Sequence, residues 1–130
     1  MKYVYPVVFS PEEEGGYCVY APAFPGCVTE AESWAEGIDK IREGLCGMLM
    51  IHERDHLAIP APGDPLLIAR EPNDVVTLVD ADTDDYRRRV GVRAVRRTIS
   101  IPAWMDDAAT QAGVSLSQVT QDALRQQLRL

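Results

Sequence analysis

A chain of 130 residues suits one domain, or one small domain with a dimerising appendage. Its apolar content of 46% is ordinary for a globular protein that buries a core, and no apolar run is long enough to suggest a membrane span. The net charge of −7 argues against a uniformly basic nucleic-acid binder, and three widely spaced cysteines without a CxxC pair indicate neither a disulfide framework nor a zinc knuckle. A soluble cytoplasmic protein with reduced thiols is expected, with residues 1–2 leading into a strand-like segment rather than a signal peptide.

Residues 3–9 are rich in β-forming side chains but include Pro6, which favours an edge strand. Residues 10–16, rich in Pro, Glu and Gly, read as a turn, and residues 17–20 as a second strand. Ala21-Pro22-Ala23-Phe24-Pro25-Gly26 turns the chain again before a third strand at 27–30, which completes an antiparallel meander. Ser33 and Glu36 then form an S-x-x-E capping box, and Trp34, Ile38, Ile41, Leu45, Met48 and Leu49 follow at helical spacing. Gly37, Gly44 and Gly47 each weaken that helix by up to about 1 kcal/mol relative to alanine. A helix so loaded with glycine is expected to be held by a sheet that approaches it closely. It should fray before Pro60, with residues 60–65 as loop and 74–79 as a further strand. Residues 81–94 read as a charged linker with a short helical piece around 86–90.

The tail, residues 96–130, cannot fold alone. In Arg96-Arg97-Thr98-Ile99-Ser100-Ile101, Ile99 and Ile101 share one face, and Arg96, Thr98 and Ser100 the other. Two apolar residues on one strand bury too little, and a lone strand leaves its backbone groups open. The same strand from a second chain would complete a two-stranded ribbon of the size that fits the major groove of B-DNA. Pro102 ends this strand and suits the first turn of a helix carrying Trp104, Met105, Ala108, Ala109 and Ala112. Gly113 suits a left-handed stop, and Ser115 a cap for a second helix with Leu116, Val119, Ala123, Leu124 and Leu128 on one stripe.

Charge divides along the same line. Residues 1–85 hold 17 acidic against 5 basic residues, −12, and residues 86–130 hold 3 against 8, +5. An acidic body and a basic tail imply two partners of opposite preference.

The order strand, helix, Gly-Val-Ser-Leu-Ser, helix resembles the ribbon-helix-helix family of DNA-binding dimers. That resemblance implies that Arg96, Thr98 and Ser100 reach base edges, while Ser115, Ser117 and the amides opening the second helix hold a phosphate. In the body, Glu13-Glu14-Gly15-Gly16-Tyr17 followed by Pro22-Ala23-Phe24-Pro25-Gly26-Cys27-Val28-Thr29-Glu30 resembles the signature of HicB antitoxins, and Ile59-Pro60-Ala61-Pro62 is similar to a segment that follows their long helix. The chain departs from the family at Ala31-Glu32-Ser33 and at Glu36-Gly37. The resemblance implies an α+β fold: a partial RNase H-like β-β-β-α-β domain at 1–85, a linker at 86–94, and a ribbon-helix-helix dimerisation domain at 95–130. It further implies an antitoxin without catalysis or cofactor, which blocks a small basic HicA-type mRNA-cleaving toxin and, as a homodimer or higher oligomer, binds the operator DNA of its own operon.

Other readings compete. A ribbon-helix-helix regulator could carry a small-molecule sensor in place of a toxin-binding body. His52-Glu53-Arg54-Asp55-His56 matches the zinc motif H-E-x-x-H, which would make a metal-dependent hydrolase. Against that, the motif falls at a fraying helix end, carries charged Arg54 and Asp55, and has Ile59 where the extended motif needs glycine. An exposed charged helix end is expected instead, with no metal. Asp80, Asp82, Asp84 and Asp85 could hold catalytic magnesium, but an acid cluster beside a linker is ordinarily solvated surface. Cys27 reads as a buried structural thiol. Arg87-Arg88-Arg89, with Arg93, Arg96 and Arg97, lies on the approach to the ribbon and suits non-specific DNA contact. Trp34 and Trp104 read as core anchors.

Overall fold

The computed structural model describes all 130 residues. They divide into two compact units, Met1–Arg93 and Ala94–Leu130. No helix is long and apolar enough to cross a membrane.

The first unit is built on a four-stranded antiparallel sheet of β1 (Lys2–Pro11), β2 (Tyr17–Tyr20), β3 (Val28–Ala31) and β4 (Val75–Asp82), in the order β3-β2-β1-β4. The meander β1-β2-β3 is as expected, but β1 is central rather than at an edge. Pro6 is tolerated there because pairing with β2 stops at Val8↔Tyr20, so that side of Pro6 has no strand to which an N–H could donate. On the other side β1 pairs with β4 from Lys2↔Asp82 to Phe9↔Val75.

Register sorts the side chains into two faces. Tyr5, Val7, Phe9, Val19, Ala31, Val79 and Ala81 are buried on one face, under α1 (Trp34–Arg54), which contributes Ile41, Leu45, Cys46 and Leu49 to the same core. The Ser33 hydroxyl caps α1 by accepting from the Glu36 amide at 3.2 Å. The reciprocal half of the capping box is missing, because the Glu36 carboxylate turns to Lys40 at 2.7 Å. Gly37 shows why glycine sits in this helix. A Cβ there would lie 2.3 Å from Phe9 Cε1. Trp34 is no core anchor. It is 48% exposed and lies over Tyr17 and Phe9 at ring distances of 4.3 and 5.3 Å.

After a short 3₁₀ turn at Pro65–Leu67, β4 forms a sheet edge that α1 protects in part: Arg42 Nε donates to the Asp80 carbonyl at 3.0 Å. The segment expected to be a linker then holds most of a helix, α2 (Thr83–Val90), packed on α1 within the first unit. Its sequence lacks an apolar stripe. Tyr86 packs against the core, and ion pairs add to the attachment, Arg87 to Glu53 at 2.9 Å and Arg89 to Glu43 at 2.8 Å.

The second unit contains α3 (Ala103–Gln111) and α4 (Leu116–Leu128). Gly113 makes the expected left-handed stop at φ +67°, and Ser115 caps α4 by accepting from the Gln118 amide at 3.2 Å. Residues 96–101, expected as a strand, form no β-ladder in the single chain. No residue of this unit is buried, and Ile99, Trp104 and Leu124 are each more than half exposed. Trp104 therefore anchors no core within one chain.

Candidate functional site

The H-E-x-x-H residues do not converge on a metal. Helix α1 ends at Arg54, and His56 lies beyond it in a left-handed conformation at φ 55°, off the helical face that carries His52. The His52 ring packs edge-on against Phe24 at 5.4 Å, and its Nδ1 lies 2.9 Å from the Ala58 carbonyl. No three His, Cys, Asp or Glu side chains are grouped to hold a metal ion.

Glu53 is not the solvated helix-end charge expected of it. Its carboxylate accepts from Tyr3 Oη at 3.0 Å, Thr83 Oγ1 at 2.7 Å and Arg87 Nη2 at 2.9 Å, tying the end of α1 to β1 and α2. Burial acts to raise this carboxyl, but the hydrogen bonds from Thr83, Arg87 and Tyr3 outweigh it and hold the pKa below the ordinary glutamate value. Thr83 is fully buried, and its backbone N–H also donates to the Met1 carbonyl at 3.0 Å. Sequence reading missed this node because its four members are polar, distant in sequence and without period.

The aspartates at the end of β4 and the start of α2 are taken up by neighbouring basic groups and backbone amides, with Asp82 and Asp84 both beside the Met1 ammonium. Asp80 takes Arg42 at 2.9 Å and Lys2 at 3.4 Å, Asp82 caps α2 through the amides of Asp84 and Asp85, and Asp85 takes Arg89 at 3.0 Å. They form no shared cation site. All three cysteines are free, Cys27 and Cys46 buried and Cys18 half-buried, and burial pushes the Cys27 thiol pKa up, away from a reactive thiolate.

In the second unit, Arg96, Thr98 and Ser100 are exposed on the extended segment. Val95, Arg97 and Ile99 line an open groove of about 380 Å³ with Leu116, Ser117 and Leu124, so the odd-numbered residues turn towards α4. Ser117 thus borders this groove, while the Ser115 hydroxyl is occupied by its cap. Charge is repartitioned as well. Arg87, Arg88, Arg89 and Arg93 belong to the first unit, which holds 17 acidic against 9 basic residues, −8, leaving 3 against 4, +1, in the second.

These features define a mixed α+β protein of two units, with an acidic sheet-and-helix body and an α-helical tail that lacks a core of its own. No family model matches the chain. It is 34% identical over 59 residues to Antitoxin HicB 1 of Photorhabdus laumondii, a match covering 45% of this chain and 38% of that protein. The chain thus spans well under half the length of this curated relative. Among solved structures it shares the fold of a chain in the toxin–antitoxin complex from Streptococcus pneumoniae, with a TM-score of 0.62, 19% identity and coverage of 98% of this chain and 99% of that one. It shares the fold of the Burkholderia pseudomallei antitoxin HicB with a TM-score of 0.55, 18% identity and coverage of 94% and 96%. The chain is thus similar to a HicB antitoxin in sequence over those 59 residues and shares the fold of another.

Proposed function

We propose that this protein is an antitoxin that binds and neutralises a HicA-type mRNA-cleaving toxin through its first unit, and represses its own operon through its second. The observation that carries the reading is the likeness to HicB antitoxins, over nearly the whole fold in the antitoxin from Burkholderia pseudomallei and in sequence in the relative from Photorhabdus laumondii. The first unit, a partial RNase H-like domain by its sequence resemblance, has its carboxylates in structural ion pairs or on the surface rather than around a catalytic ion, which suits a fold used for binding.

The tail supports the second half. A unit with no buried residue and more than half-exposed Ile99, Trp104 and Leu124 gains its core by pairing with a second copy. Two copies of residues 96–101 would then form a ribbon, with Val95, Arg97 and Ile99 turned towards α4 and Arg96, Thr98 and Ser100 turned outwards to DNA. The reading predicts a small basic protein encoded beside this chain, whose expression stops growth and whose effect this chain relieves on co-expression; no such neighbour, or arrest that this chain does not relieve, refutes the antitoxin reading. Operator binding by Arg96→Ala and Thr98→Ala tests the ribbon, with each lost base contact costing about 1–3 kcal/mol of sequence preference. Unchanged binding would reject it.

A further inference from the structure

The ion pairs of the first unit lie along α1 and α2, where Glu43, Glu53, Asp80 and Asp85 meet arginines. At the other end of the sheet, Glu12, Glu30, Glu71 and Asp74 meet none. Register shows what they surround. On the face opposite α1, Ser10, Cys18 and Glu30 align in one row across the strands, and Val76, Val8, Tyr20 and Val28 in the next. Val28 is 57% exposed and Tyr20 is half-buried. Burial raises the Cys18 pKa first, with the negative charges of Glu12, Glu30 and Asp74 adding to it. The Tyr20 phenol is raised by burial and then by Asp74, Cys18 and Glu71. The four carboxylates therefore bear on one short stretch of β2.

We infer that this stretch, Cys18, Tyr20 and Val28 rimmed by Glu12, Glu30, Glu71 and Asp74, is the surface that takes a basic protein partner. Apolar contact forms at Val28 and the Tyr20 ring, and lysine or arginine side chains of the partner meet the rim. Glu12, Glu30 and Glu71 are exposed and pair with an incoming cation without stranding a buried charge, while the half-buried Asp74 carboxylate accepts from the Glu71 amide at 3.0 Å; their field draws a basic surface and repels nucleic acid. No three of these side chains are grouped to hold a metal ion. This assignment rests on the antitoxin reading and names the face that reading leaves open.

The test measures binding of the full chain to the small basic protein encoded beside it, at about 0.1 M salt, where the Debye length of about 10 Å leaves rim charges effective. Glu12→Lys/Glu30→Lys/Glu71→Lys changes three exposed positions and should weaken binding about a hundredfold, roughly fivefold for each rim charge reversed. Val28→Asp should weaken it about tenfold through the apolar centre. Asp106→Lys/Asp107→Lys, on α3, should stay within about threefold of the unaltered chain. If the unaltered chain binds and the triple variant binds equally well, this face is wrong and the antitoxin reading stands. If the unaltered chain does not bind, the antitoxin reading falls and the assignment of a basic partner falls with it.

Discussion

Alanine at the three glycines of α1 separates close packing from helix propensity within one element. At Gly37 the added Cβ would meet Phe9 Cε1 at 2.3 Å, Phe9 Cζ at 2.9 Å and Val19 Cγ2 at 3.2 Å. Phe9 is 1% exposed and Val19 0%, so neither can swing aside into solvent. Overpacking of this severity costs about 3 kcal/mol, and the better helix propensity of alanine returns about 1 kcal/mol, for a net loss of about 2 kcal/mol. At Gly47 the nearest outside atom is Tyr86 Oη at 3.6 Å, ordinary contact, so alanine should stabilise by up to about 1 kcal/mol. Gly44, 3.2 Å from Cys27 Sγ, falls between and should be near neutral. Urea unfolding in a Trp104→Phe background, followed by Trp34 fluorescence, reads the first unit alone. With a slope of about 2 kcal/mol per molar, Gly37→Ala should lower the midpoint by roughly 1 M and Gly47→Ala raise it by up to about 0.5 M. A Gly37→Ala protein as stable as the unaltered chain would refute the claim that this helix is glycine-bearing because the sheet comes close.

The Glu53 node predicts a pH dependence. Its folded pKa lies below the unfolded value, so its contribution is fully present above about pH 4.5 and is lost as pH falls through the folded pKa; Glu53→Gln should flatten the acid limb of a stability–pH profile, and an unchanged limb would remove Glu53 from the cause. Thr83→Val removes the hydroxyl that donates to Glu53 at 2.7 Å and should cost about 1–3 kcal/mol in chemical unfolding, with α2 losing protection from hydrogen exchange first. Zinc at micromolar concentration should not raise the melting temperature, and His56→Ala should behave as the unaltered chain in equilibrium dialysis; stoichiometric zinc lost in that variant would restore the metal reading. Ile99→Asp or Leu124→Asp should shift the sedimentation of the full chain to monomer, and an unshifted dimer would place its contact elsewhere.

What was legible in the sequence was local. The β-forming residues of β1, the Ser33 cap, the apolar spacing from Ile38 to Leu49 and the Gly113 stop each rest on neighbouring residues, and the structure shows them. The position of Pro6 was misjudged because it depends on where β2 ends, which residues 3–9 do not encode. Of helix α2 only the stretch 86–90 was legible, because Thr-Asp-Asp-Tyr-Arg-Arg-Arg-Val carries little apolar pattern; its hold on the body comes from Tyr86 against the core and from Glu43 and Glu53, 30 to 46 residues away. The H-E-x-x-H match failed at a single backbone angle, since His56 leaves the helix that would bring it round to His52. The face around Tyr20 and Val28 emerges only once the strand register joins residues far apart in the chain.

With Arg87, Arg88, Arg89 and Arg93 assigned to the first unit, that body is electrically lopsided: arginines are paired with Glu43, Glu53 and Asp85 at one end, while Glu12, Glu30 and Glu71 meet no arginine at the other. Ten residues of β1 at about 3.3 Å each set its free carboxylates at one end of the sheet and the start of its arginine-bearing helix at the other, roughly 30 Å apart. Such a separation far exceeds the Debye length of about 8 Å at physiological ionic strength, so the unpaired acidic end acts on its surroundings almost independently of the paired one. An approaching cationic protein is turned to meet the sheet end first, before any side chain touches. Orientation during encounter, and with it the association rate at low salt, is thereby fixed by where the chain places its unpaired charges rather than by its net charge of −7.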